Sequence, residues 1–252
     1  MVYLKTEEEI ELLRKANLLV SKTLAEIARI IKPGVSTKEI EKIADTFIRD
    51  NGAVPTFKGV PNPYGGPFPA CVCTSVNEQV VHGIPSDREL KDGDIISVDG
   101  GVILDEWHSD AARTFLVGNV DERVKKLVED TKQSFFEGVK AFKEGNHIGD
   151  IGHAIQTYCE SRGYGVVKEM VGHGIGKDLH EDPSVPNYGK PGFGKRIQVG
   201  MTLAIEPMIT LGTDRIVIHK DGWTCTTADG SICAHYENTC ALTENGVEIL
   251  TL

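Results

Sequence analysis

The chain has 252 residues, 40% of them hydrophobic and 25% charged, with a formal net charge of −10. That size and apolar content suit one large domain or two small ones around a sizeable core. The acid excess argues against a duplex-binding face, which is ordinarily basic. It fits either a soluble surface or carboxylates gathered for metal. Six cysteines, at 71, 73, 159, 225, 233 and 240, include no Cys-x-x-Cys pair. A chain this long needs no disulfide staples, so a reduced intracellular protein is expected. The first residues, Met1 to Glu9, hold no apolar signal segment. No apolar run approaches the roughly 20 residues that span a bilayer. The expected location is therefore the cytoplasm, with neither a membrane nor a specific nucleic acid as partner.

Thr6 followed by Glu9 is a capping box, and Ile10, Leu13, Ala16, Val20, Leu24, Ile27 and Ile31 recur at helical spacing after it. Lys32-Pro33-Gly34 stops that helix. Ser36 with Glu39 caps a second, whose apolar face is Ile40, Ile43, Ala44 and Phe47 and whose end is Asn51-Gly52. A third helix is predicted from about Asp121 to Glu144. A fourth carries Ile151, Ala154, Ile155 and Tyr158 and stops near Gly163. One ungapped offset maps Gly34 onto Gly145, Ile40 onto Ile151, Phe47 onto Tyr158 and Gly52 onto Gly163. The segment Gly93-Asp94-Ile95-Ile96-Ser97-Val98-Asp99 likewise resembles Gly200-Met201-Thr202-Leu203-Ala204-Ile205-Glu206. Each is a glycine, a strand-like run and a carboxylate. The reading is two α+β halves, about 1–116 and 117–252, packed about a pseudo-twofold axis in a single catalytic domain spanning 1–252. Each half delivers an acid at the end of a central strand.

Two hairpins are predicted. Asn245-Gly246 lies between two strand-like runs and is a strong turn signal. A weaker turn near Leu104-Asp105 would set Asp99 directly opposite Asp110. Like charges paired on one sheet face are unfavourable, so that register suggests a cation between them.

Asp99, Asp110, His173, Glu206 and Glu237 stand out together, because each lies in a strand-like or glycine-rich segment instead of on a polar helix face. Any one such aspartate alone is more often an edge charge or a hairpin partner. The recurrence of Gly-x5-acid is hard to explain by packing. Four carboxylates and an imidazole form a hard, mostly oxygen donor set suited to two divalent ions of the Mn, Fe(II), Co or Zn kind.

The order and spacing of several motifs resemble the methionine aminopeptidases, a pita-bread metallopeptidase family, in their short bacterial type I form. The first half carries Val81-His82-Gly83-Ile84-Pro85, Asp94 to Asp99, and Trp107-His108-Ser109-Asp110. The second carries Gly172-His173-Gly174-Ile175-Gly176, His180-Glu181-Asp182-Pro183, Ile205-Glu206-Pro207-Met208 and Tyr236-Glu237-Asn238-Thr239. The resemblance runs from about residue 6 to the end. It implies the pita-bread fold, a central antiparallel sheet covered by helices. It also implies a dinuclear site with Asp99, Asp110, His173, Glu206 and Glu237 as ligands, Asp110 and Glu237 bridging. His82 would contact the substrate backbone near the scissile bond, and His180 the developing oxyanion. The implied reaction is removal of the initiator methionine from nascent polypeptides, preferably before a small second residue. In it a metal-activated bridging water gives up its proton to Glu206 and attacks the peptide carbonyl. A monomer with transient ribosome contact is expected.

The resemblance places Phe68, Cys73, Trp223 and Tyr64 around the methionine side chain, where sulfur against aromatic rings adds a modest preference. Two departures bear on this pocket. The loop Val60 to Pro67 looks longer than the usual bacterial one, and Leu179 stands where an aromatic is common. His108 is expected to support the site at most. His147, His153, His219 and His235 read as surface or packing residues, and Cys71 beside Cys73 is too little for a metal site. The proline-specific peptidases of the same fold carry a substantial extra N-terminal domain, which a first helix beginning at about residue 6 disfavours. Type II forms carry an insertion that the short His173–Glu206 interval leaves little room for. A non-catalytic binding protein on this fold would be marked by loss of a ligand or histidine, and all seven positions are intact.

Overall fold

In the computed structural model, which describes residues 1–63 and 65–252, helix α1 spans Glu7–Ala28 and α2 spans Thr37–Asp50. Each begins with the reciprocal capping box its sequence predicts. The Glu9 amide donates to the Thr6 hydroxyl while the Thr6 amide donates to the Glu9 carboxylate, and Ser36 and Glu39 repeat the arrangement. Helix α3, Glu122–Ala141, is capped by the Asp121 side chain on the Arg123 amide. It stops short of the predicted Glu144 because Phe142 leaves helical geometry and turns fully into the core. Helix α4 covers Ile148–Glu160.

The helices pair over two apolar cores. Leu24 and Ile27 of α1 and Ile40 and Ile48 of α2 pack on Val72, Ile96 and Val98. Leu127 and Phe135 of α3 and Ile151 and Ile155 of α4 pack on Leu203 and Ile205. Burying each such side chain contributes roughly 1.5–3 kcal/mol. The helix pair α3/α4 is close because Gly138 faces Ile155; a Cβ at 138 would lie 2.8 Å from Ile155 Cδ1. The internal repeat is also a backbone repeat. Gly34 and Gly145 (φ +90° and +86°), Gly52 and Gly163 (+77° and +80°), and Gly93 and Gly200 (+96° and +89°) share left-handed geometry at matched positions.

Under each helix pair lies antiparallel sheet. Strand Ile95–Gly100 runs between Val72–Val76 and Ala111–Leu116. Strand Thr202–Ile205 runs between Gly172–Gly174 and Asn238–Thr243. Both strands that carry the Gly-x5-acid pattern are thus interior to their sheets. The halves meet along one seam, where the Glu237 amide donates to the Ala112 carbonyl at 3.0 Å and the Thr239 hydroxyl to the Asp110 carbonyl at 2.9 Å. Arg113 crosses the same seam, donating to the Glu237 carbonyl and to Asn238 Oδ1.

Both hairpins differ in register from the sequence reading. The first turn is centred on Asp105 and Glu106, which take φ +50° and +70°, so Leu104 pairs with Trp107 and Asp99 with Ala112. Asp110 is therefore a diagonal neighbour of Asp99 on one face, not its direct partner. The second turn is Glu244-Asn245, with Gly246 (φ +111°) already paired to Thr243. The Thr243 hydroxyl sets this register, accepting from the Asn245 amide and donating to the Gly246 carbonyl.

Candidate metal centre and adjoining pocket

The five residues singled out in the sequence converge because each sits at or beside a strand at the seam. Asp99 is within Ile95–Gly100, Asp110 directly precedes Ala111–Leu116, and Glu237 directly precedes Asn238–Thr243. Glu206 follows Thr202–Ile205, and His173 is the middle residue of Gly172–Gly174. The glycines flanking His173 are required by close backbone approach. A Cβ on Gly172 would lie 2.3 Å from the Ala204 carbonyl oxygen, and one on Gly174 2.2 Å from that of Asp182.

All five line one pocket. His173 Nδ1 lies 2.8 Å from the Gly174 carbonyl oxygen, which can only accept, so Nδ1 carries the proton. The Nε2 lone pair then faces Asp110 Oδ2 at 3.7 Å and Glu206 Oε1 at 3.8 Å. One imidazole lone pair and two carboxylate oxygens thus converge on one point. Asp99 Oδ1, Asp110 Oδ1 and Glu237 Oε1 are buried without any hydrogen-bond partner. Ligand atoms of Asp110, His173 and Glu237 lie within 4.8 Å of one another. Burial, with mutual repulsion added, holds Asp99, Glu206 and Glu237 well above the usual carboxylate range, and burial pushes Asp110 up to about 7. Orphaned oxygens, a correctly presented imidazole lone pair and frustrated carboxylates all fit hard divalent cations.

Beside the acids the wall turns apolar. Phe57, Val60, Phe68, Cys73, Leu179 and Trp223 enclose a cavity of about 80 Å³ with the acids at one end. Trp223 meets Phe68 edge-on at 5.0 Å between ring centroids, and its indole N–H donates to the Gly66 carbonyl at 2.9 Å. Cys73 pairs with Asp99 in the sheet, and burial first, then the neighbouring acids, keep its thiol protonated. Phe68, Cys73 and Trp223 are therefore together as the sequence reading expected; Tyr64 lies outside the described residues. Phe57 and Val60 carried no periodic signal because they sit in an irregular loop.

Four imidazoles surround the acids. His82, at φ +59°, is a non-glycine residue in the left-handed region, a strain that collects at functional sites. Its ring meets Trp223 edge-on at 6.1 Å, and burial, then His180, depresses its pKa to about 4. His180 stacks edge-on against His173 at 4.4 Å. Its pKa is also lowered to about 4, by the surrounding protein and then His173, although the residue is exposed. Sequence reasoning missed His235. It is buried, its Nε2 lies 3.7 Å from Glu206 Oε2, and that nitrogen has no partner. Only its position two residues before Glu237 could have flagged it. His108 instead contacts the Thr56 hydroxyl at 3.3 Å, away from the pocket wall.

Comparison with known proteins bears on this site. The family described as metallopeptidase family M24 matches residues 11–244. A methionine aminopeptidase of Clostridium perfringens is 52% identical over 252 residues, spanning 100% of this chain and 99% of that protein. The crystal structure of methionine aminopeptidase from Rickettsia prowazekii superposes with a TM-score of 0.97 at 40% identity, over 100% of both chains. The enzyme from Thermotoga maritima gives 0.95 at 46% identity, over 100% of this chain and 99% of that one.

Proposed function

Because the chain belongs to metallopeptidase family M24, we propose that it frees the N-terminal methionine of new polypeptides, preferably ahead of a small second residue. Its fold is the family's pita-bread α+β arrangement. The observation that carries the proposal is adjacency: one pocket is lined by four carboxylates and His173 at one end and by a narrow apolar wall at the other. A thioether side chain fits the second, and the peptide bond next to it then lies at the first.

In this reading Asp99, Asp110, His173, Glu206 and Glu237 would hold two divalent ions of the Mn, Fe(II), Co or Zn kind. When bound, such ions polarise a carbonyl and make water acidic enough to ionise near neutral pH. The protein supplies the rest. Glu206 removes the proton from the attacking water. His180, on the open side of the pocket, donates to the carbonyl oxygen as charge develops on it. His82, neutral at physiological pH, keeps one donor and one acceptor for the substrate backbone at the scissile bond. Residues 1–252 act as one catalytic unit, with both halves contributing ligands. A cytoplasmic monomer that meets nascent chains in transient contact with the ribosome completes the proposal. Among the described residues no helix is long and apolar enough to cross a membrane.

A peptide panel tests the specificity. Met-Ala- and Met-Gly- peptides should be cleaved, Met-Lys- peptides hardly, and N-acylated peptides not at all. Efficient release of leucine or of residues before proline, with methionine ignored, would assign a different peptidase activity.

A further inference from the structure

A buried ion pair involves the residue that follows His180 in the chain. The Lys5 side chain is 1% exposed and its ammonium is bound to Glu181, whose side chain is 12% exposed. Lys5 is itself fixed. Its amide donates to the Gly200 carbonyl at 2.8 Å, and its ammonium donates to the Tyr3 carbonyl at 3.2 Å. Gly200 in turn leads into the central strand Thr202–Ile205 that ends at Glu206. Glu181 is the first residue of the strand Glu181–Val185 and follows His180 in the chain.

The segment between His173 and Glu181 is an irregular loop, and it supplies Leu179 and His180 to the pocket. Its near end is held by Ile175, whose amide donates to the Thr202 carbonyl at 3.1 Å. Lys177, Asp178 and His180 are exposed, and the loop has no core of its own. Its far end is held by the sheet pairing of Glu181 with Gly174 and by the Glu181 carboxylate on Lys5. Such a pair is a poor device for stability alone, because two apolar residues of similar volume do as well without the desolvation cost. It does fix direction. With its backbone tied to Gly200 and its ammonium to the Tyr3 carbonyl, Lys5 defines where the Glu181 carboxylate, and hence the adjacent imidazole, must sit. Gly176 makes room for it, since a Cβ there would lie 2.4 Å from Glu181 Oε1 and 2.6 Å from Lys5 Cε.

We infer that Lys5 and Glu181 are positioning residues: the N-terminal segment clamps the 175–181 loop and so sets His180 for its work on the substrate carbonyl. This rests on the role given to His180 above. Misplacing a catalytic group by about 1 Å can cost on the order of a hundredfold. In the manganese-loaded enzyme acting on a Met-Ala- peptide, Lys5→Met should lower kcat by about 10–100-fold. KM should stay within about twofold, and metal content should be unchanged. Gly176→Ala, which crowds the pair without removing a charge, should do the same. The deciding measurement is a double-mutant cycle with His180→Ala, because residues that act through one group lose their separate effects once that group is gone. In the His180→Ala background, Lys5→Met should cost less than about twofold in kcat. A full, additive loss in that background, or a loss of metal, would overturn the inference while leaving the role of His180 intact. Full activity of His180→Ala alone would instead overturn the role itself. If Lys5→Met does not fold, the double replacement Lys5→Met/Glu181→Leu, which buries no lone charge, takes its place in the cycle with the same expected outcomes.

Discussion

Replacing Asp110 by asparagine is expected to lower turnover of a methionyl peptide by roughly a thousandfold or more, while the metal-free protein becomes no less stable. The two effects come from one geometry. Asp110 is 4% exposed, Oδ1 has no partner, and the other oxygen faces the His173 lone pair. Without a cation, burial opposes the charged form. Burial therefore raises the folded-state pKa from the ordinary 3.8 to about 7. The sign follows from proton linkage. The folded state binds this proton more tightly than the unfolded state. Stability from this group is thus full below 3.8 and is lost as pH rises to about 7. Asparagine cannot ionise and escapes that loss. Metal reverses the balance, since a ligand that binds only the folded state at 100 times its Kd adds about 2.7 kcal/mol. Denaturant unfolding of wild type and Asp110→Asn near pH 7.5, each with and without Mn, separates these terms. A variant clearly less stable than wild type without metal would mean that Asp110 is held by structural hydrogen bonds and that the site is not frustrated when empty of cations.

His180→Ala should lower kcat by roughly 10²–10⁴ while both metal ions remain bound. His180 presents its ring to the pocket. Its ring is edge-on to His173 and the residue is exposed, which suits a donor to a substrate oxygen. His82→Ala should behave similarly, because His82 lines the same pocket against Trp223. Metal analysis beside kinetics decides both. Loss of an ion from either variant would make that histidine a ligand and the assigned role wrong.

The elements best read from sequence were those whose signals are local. Thr6/Glu9 and Ser36/Glu39 each begin a helix where a capping box says one should begin, because both partners lie within four residues. The repeated glycines marked the same turns twice because left-handed backbone selects glycine wherever it recurs. Hairpin register was less legible. Asp105 and Glu106 form the first turn without glycine, and at the second the Thr243 hydroxyl outweighs the pull of Asn245-Gly246. Both shifts were small, yet the first decides whether Asp99 and Asp110 oppose each other or sit diagonally. The chemistry-bearing acids could be picked out because the Gly-x5-acid pattern recurs in both halves, where one such carboxylate alone would read as an edge charge. His235 could not, because nothing in Cys233-Ala234-His235 distinguishes a buried histidine facing Glu206 from one filling space. The Lys5–Glu181 pair was equally invisible, joining positions 176 residues apart.

The most direct measurement is methionine release from a Met-Ala- peptide by protein freed of metal with a chelator and then titrated with Mn. Release should be absent at the start and rise with the ion, reaching its plateau as about two ions bind per chain. Full activity in the exhaustively metal-free protein would contradict the account at its centre, leaving the buried carboxylates and His173 without the task their geometry fits.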